Sequence, residues 1–237
     1  MKTGAILAGG WIGMSIVAGI PVAHAQAGGT VAGKVTCEGT PPARKTIEFG
    51  AERQCALGHT HPPQQEDLVI TDGAVQWVLV YVKDGLTGEF PAPTDPVVID
   101  QRGCLFLPHV AVARAGQPVE FRNSDPVLHN VRGKSSQAQG FNIAQPIQGM
   151  KTTKTLKKPE VGMLLRCDVH FWMASYLHVL AHPFYAVTGT DGVFSLAGLP
   201  AGTHTIEAWH EKLGTQTQTV TVADGQVVPL AFTFKAP

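Results

Sequence analysis

The sequence has no excess of charge of either sign: 18 lysines and arginines stand against 18 aspartates and glutamates, a formal net charge of zero. Without a global cationic field the chain suits a polyanion poorly, so nucleic acid is not an expected partner. Sustained helical periodicity is almost absent, which excludes a coiled coil. No Ser-His-Asp arrangement, pair of catalytic carboxylates or phosphate loop stands out, so the chain is not expected to be an enzyme. Cysteines number only four, with no C-x-x-C pair among them. That count disfavours a thiolate-rich zinc site and an iron–sulfur cluster.

What is present is a composition of 44% hydrophobic and 15% charged residues, which suits a folded globular protein. Glycine (26) and proline (17) make up almost a fifth of the chain, implying many turns between short strands. The opening "MKTGAILAGGWIGMSIVAGIPVAHAQ" has the form of an export signal. Lys2 and the amino terminus supply positive charge, an apolar stretch runs from Ala5 to Val22, and Ala23 and Ala25 occupy the positions a signal peptidase reads. The expectation is a signal peptide over residues 1–25 and a soluble protein that is periplasmic or otherwise exported; the alternative is an uncleaved membrane anchor, since the apolar stretch approaches spanning length. No twin arginine precedes the apolar stretch, and no cysteine follows the cleavage site to carry a lipid.

Short β-rich runs divided by turns fill the rest: "TVAGKVTC" (30–37), "AVQWVLVYVKDG" (74–85), "PVVID" (96–100), "HVAVARAGQPVEFRN" (109–123), "VGMLLRC" (161–167) and "YLHVLAH" (176–182). In the fourth, "RAGQ" reads as a turn, with Val119 and Phe121 on one face and Glu120 and Arg122 on the other. After residue 186 come a D-G turn at Asp191-Gly192, a strand with Phe194 and Leu196, an "LPAG" turn, and a final hairpin around "ADGQ". Repeated strands of this kind predict an all-β fold of sandwiches or Greek-key barrels.

One stretch carries chemistry. "LLRCDVHFWM" (164–173) sets a thiol, an imidazole and a thioether within seven positions, as Cys167, His170 and Met173. Rigid binding needs a ligand from elsewhere, and His129 in "RNSDPVLHNVRG" (122–133) is the best candidate. A thiolate with two imidazoles and a weak thioether is the donor set that one copper ion favours when it cycles between its two oxidation states. If Cys167 binds metal, three cysteines remain and cannot all pair. The expectation is a Cys55–Cys104 disulfide, with Cys37 a buried free thiol on a strand.

These residues carry a resemblance. "GQPVEFRNSDPVLHNV" and "CDVHFWM", in this order and with "ASYLHVLA" behind them, resemble the ligand-bearing segments of the cupredoxins, most of all amicyanin and plastocyanin. The resemblance implies a Greek-key sandwich over residues 93–183 holding one type 1 (blue) copper, with His129, Cys167 and His170 equatorial and Met173 axial. It also implies that Asn130 ties the two ligand loops together. Phe171 stands where many such loops have proline, and Arg166 where an aromatic is common. Residues 186–210, with T-x-x-x-G-x-F-x-L-x-x-L-P-x-G, resemble the transthyretin-like domain found beside carboxypeptidases. Its first two strands are expected from "GGTVAGKVT" and "VQWVLVYV", so that residues 28–92 and 184–237 form one transthyretin-like sandwich into which the cupredoxin domain is inserted; the alternative is a short N-terminal extension packed on the metal domain.

The function implied is electron transport: an exported blue copper protein carrying single electrons to or from a redox partner protein such as a cytochrome or dehydrogenase. The same ligands could instead serve copper storage, delivery or sensing, or belong to a docking module whose site has lapsed. No second histidine-rich site of the kind a multicopper oxidase needs is apparent. His59 and His61 form an H-x-H expected to be a polar loop rather than a second metal site. His109 is expected to be structural or at the domain interface, and His204 and His210 to be surface or domain-contact residues. The lysines of "MKTTKTLKK" (150–158) are expected to guard an edge strand, the alternative being a patch that docks an acidic electron-transfer partner.

Overall fold

The computed structural model describes Met1 and residues 28–237. The expected signal peptide lies outside the described residues. Among the described residues, four sheets form two sandwiches, each with its own apolar core.

The first sandwich draws strands from both ends of the chain. In its five-stranded sheet Gly29–Glu38 pairs with Val193–Leu199, with Ala74–Val75 and, in parallel, with Val227–Lys235, while Ile70–Thr71 closes one edge. The opposing sheet runs Tyr185–Val187, Leu79–Asp84, Gly202–His210, Gly214–Val222. Period-two alternation sends Phe194 and Leu196, and Leu230, Phe232 and Phe234, inward between the sheets. The D-G turn places Gly192 at φ +69°, a conformation that side-chain-bearing residues adopt only under strain.

Two expectations for this sandwich fail. The "ADGQ" turn does not close a hairpin, because Gly214–Val222 belongs to one sheet and Val227–Lys235 crosses to the other, beside Gly29–Glu38. Both strands bear an apolar face, and the crossing lets both faces meet the same core. The run 74–85 is likewise not one strand. It breaks at Trp77, whose φ is +65°, and Thr188 takes over the bonding there: its carbonyl accepts from the Trp77 N–H at 3.0 Å and its hydroxyl from the Val78 N–H at 3.0 Å.

The second sandwich occupies the middle of the chain. Its five-stranded sheet runs Phe141–Gln145, His129–Lys134, Glu160–Arg166, Ala174–Leu180, Val110–Arg114. Its four-stranded sheet runs Lys151–Thr155, Pro118–Asn123, Val97–Arg102, Leu105–Leu107. The turn at "RAGQ" is closed by the Gln117 N–H on the Arg114 carbonyl at 2.9 Å, and Val119 and Phe121 are buried as their spacing requires. Lysines 151 and 154 lie on the edge strand, where unpaired backbone is otherwise open to pairing with another chain.

The segment between Glu38 and Ile70 departs from the expected division. Ile47, Phe49 and Cys55 belong to the core of the second sandwich, not the first. The segment holds only the short helix Arg53–Leu57, and its apolar side chains have no strand face of their own to complete. Between the sandwiches lies a third, small core of Leu79, Tyr81, Val112 and Leu180, with Trp209 packed against it. His109 bonds Glu211 across this junction, and Lys212 reaches Asp67 at 3.2 Å. His210 is buried in the same region, a domain-contact residue, and His204 is buried too, with Nε2 at 2.8 Å from the Pro200 carbonyl.

Candidate metal centre

The strand His129–Lys134 and the loop after Glu160–Arg166 are brought together because the two strands are neighbours in one sheet, with Leu165 opposite Gly133. That register sets His129 beside the loop that carries Cys167 and His170. His129 Nδ1 lies 3.0 Å from His170 Nδ1, and Cys167 Sγ lies 3.7 Å from the same His170 atom. One donor atom from each of the three lies within 4.8 Å of the other two, and all three side chains are buried. Two donors on one ion, each bonded at about 2.0–2.3 Å, stand roughly 3–4 Å apart, so this spacing fits a shared metal. Met173 is buried at the end of the loop, where its N–H donates to the His170 carbonyl at 2.9 Å and its carbonyl accepts from the Cys167 N–H at 3.3 Å. The structure thus gathers His129, Cys167 and His170 and seats Met173 at the end of the loop that carries Cys167 and His170.

The electrostatics ionise the thiol and favour a proton on the imidazole beside it, a proton that a metal would displace. Burial opposes ionisation of Cys167, but hydrogen bonds from His129 and His170 and from the backbone at Asn130 and His170 prevail, and the thiol pKa falls to about 5. Burial likewise opposes a charge on His129; the Asp125 hydrogen bond and the Cys167 thiolate outweigh it and raise the pKa. His129 Nε2 donates to Asp125 Oδ2 at 2.9 Å, which leaves Nδ1 to face the centre. Asp125 is itself held by the Gly103 and Cys104 N–H groups, at 2.7 and 2.8 Å.

Asn130 links the two ligand segments as its resemblance implied. Its Oδ1 accepts from the Asp168 N–H at 2.7 Å and its Nδ2 donates to Asp168 Oδ2 at 2.9 Å. Phe171 projects into solvent at 80% exposure, whereas the neighbouring Trp172 is anchored by its indole N–H on the Cys104 carbonyl at 3.0 Å.

Cys55 and Cys104 form a disulfide. Cys37 is free, on a strand, but half-buried rather than buried as expected, because its strand faces solvent at that end. His59 is not part of a histidine pair: its Nε2 lies 2.7 Å from the Gly103 carbonyl and its ring stacks on Phe49, while His61 is exposed. Sequence reasoning missed Asp125 and the covering role of residues 46–59. The only local signal for Asp125 is an Asp-Pro pair, which reads first as a turn.

Residues 178–235 match the carboxypeptidase regulatory-like domain. No curated protein matches the chain. Among solved structures, a copper-containing nitrite reductase from Thermus scotoductus SA-01 is similar at 24% identity and a TM-score of 0.34, over 42% of this chain. This chain spans only 25% of that reductase. A purple cupredoxin from Nitrosopumilus maritimus is 18% identical over 35% of this chain and 98% of its own, at a TM-score of 0.31. A reduced amicyanin mutant is 17% identical over 35% of this chain and 80% of its own, also at 0.31. Residues 178–235 are thus similar to a carboxypeptidase regulatory-like domain, and the middle of the chain folds as a second β-sandwich of one five-stranded and one four-stranded sheet.

Proposed function

We propose that this is an exported electron carrier holding one type 1 copper between His129, Cys167 and His170, with Met173 axial, and exchanging single electrons with a redox partner such as a cytochrome or dehydrogenase. The observation that carries the reading is the convergence of two imidazole Nδ1 atoms and an acidified thiol in a buried space. A thiolate-bearing copper would supply a one-electron couple there.

The chain's own residues do the rest. Asp125 orients His129, and Asn130 holds the cysteine loop against the histidine strand. Burial of all four side chains excludes water, and a donor set supplied wholly by protein leaves no position for a substrate. The rigid sandwich behind the site keeps the donors in place whichever charge they face, which limits the reorganisation that accompanies electron transfer.

Copper(II) added to the metal-free protein is expected to give an intense visible thiolate-to-copper band that bleaches and returns through reversible reduction. Cys167→Ser is expected to abolish it. A colourless copper complex, or a band that survives the substitution, would overturn the assignment.

A further inference from the structure

In this chain the metal-loop histidine is covered by a segment from outside the sandwich. Residues 46–59 fold over the metal end, their base drawn together by the Thr46–Gln64 bridge and by the Ile47 N–H on the Pro63 carbonyl at 2.8 Å. Phe49 sits between His59, stacked at a centroid distance of 5.3 Å, and Trp172, edge-on at 5.4 Å. Trp172 in turn packs on His170 at 5.2 Å. Glu52 Oε2 stands 3.9 Å from His170 Nε2, the ring nitrogen turned away from Cys167. As a result His170 is only 1% exposed.

The cap is stapled at this place. Cys55 and Cys104 are joined, and their sulfurs and a ring nitrogen of His170 all lie within 4.8 Å of one another. Cys104 is also tied to the other histidine, since its N–H and that of Gly103 hold Asp125, which holds His129. Gly103 meanwhile accepts His59 from the cap through its carbonyl. One covalent link therefore fixes the cap to the same short turn that orients His129.

We propose that residues 46–59, stapled by Cys55–Cys104, form a fixed cap that positions His170 and closes the metal centre to exchange with solvent ligands. The inference rests on the metal site proposed above. Packing alone holds an extended segment with one helical turn weakly, and such segments open locally at low cost. A covalent link to the turn removes most of the conformations in which the cap would be open.

The test begins without metal. Iodoacetamide is applied to the folded metal-free protein, and the adduct at Cys167 is separated from that at Cys37 by peptide mass spectrometry. Cys167 is expected to react slowly in the native protein and on the order of tenfold faster in Cys55→Ser/Cys104→Ser, as local opening becomes easier. Phe49→Ala keeps the disulfide and removes the contact with Trp172, so it decides the matter if the double variant does not fold. Phe49→Tyr, which restores the ring, should restore protection. Removal of copper from the loaded proteins by a chelator such as bicinchoninate should follow the same order. Equal Cys167 reactivity in the native protein and every folded variant would overturn the cap. If the alkylation order holds but copper is not retained by the native protein, the metal reading fails and the cap stands as a guard of Cys167. If copper is retained and leaves all variants at one rate, the cap fails and the metal reading stands.

Discussion

At the scale of single residues, the four ligand candidates were legible because each is a chemically distinctive side chain at a distinctive spacing. Asp125 was not, although the geometry makes it the orienting partner of His129. A carboxylate's role depends on what stands opposite it, and the Gly103–Cys104 turn that anchors Asp125 is some twenty positions away in sequence. Its removal is therefore informative. Asp125→Asn keeps the shape of the side chain but loses the charge that faces the imidazole N–H and two backbone N–H groups. Copper affinity, measured by competition with a chelator, is expected to fall roughly 10–100-fold, the usual cost of losing a hydrogen-bond partner behind a metal-bound histidine. The far-UV circular dichroism should be unchanged. Affinity equal to that of the native protein would show that His129 is oriented by packing alone.

At the scale of elements, the strands themselves were legible from alternation and turn residues, but their partners were not always. Val227–Lys235 has a face of Leu230, Phe232 and Phe234 that suits either a hairpin with Gly214–Val222 or a place beside Gly29–Glu38. Nothing local separates the two, since the choice lies in which sheet has an unpaired edge. The signal is distant: a Cβ on Gly33 would stand 1.6 Å from the Leu230 carbonyl oxygen, so only glycine permits this close parallel approach. Gly33→Ala should push the two strands apart and lower stability by about 1–3 kcal/mol or more, the cost of overpacking a well-filled interior. Urea unfolding would report it as a lower midpoint. An unchanged midpoint would mean that the approach relaxes without loss. Residues 46–59 were misassigned for a related reason: a segment with little regular structure has no period from which to read the core it joins.

At the scale of the whole molecule, the junction between the sandwiches holds buried imidazoles that resist protonation. Burial drives the pKa of His178 down to about 3, where its ring packs on Trp209 at 4.6 Å and Nδ1 accepts from the Gly162 N–H at 3.0 Å. Burial also lowers that of His210 to about 4; His109 and Lys212 push the same way, and the Asp67 carboxylate opposes them. Its Nδ1 accepts from the Lys212 and Leu213 N–H groups, at 3.1 and 3.2 Å. Both rings are thus held neutral in the fold. In the unfolded chain each would take a proton near pH 6.5, so below that value the unfolded state binds more protons than the folded one. Their stabilising effect is complete above about pH 6.5 and is lost as the pH falls toward 4, by roughly 3 kcal/mol at most for His210. His210→Gln, which keeps an acceptor but cannot titrate, should lower stability at neutral pH and flatten its decline between pH 6.5 and 4 by about one proton. Urea midpoints across that range for both proteins would test this, with the difference between the two curves removing the titration that both share. Parallel curves would show that His210 takes up its proton within the fold, and that the junction is open enough to solvate it.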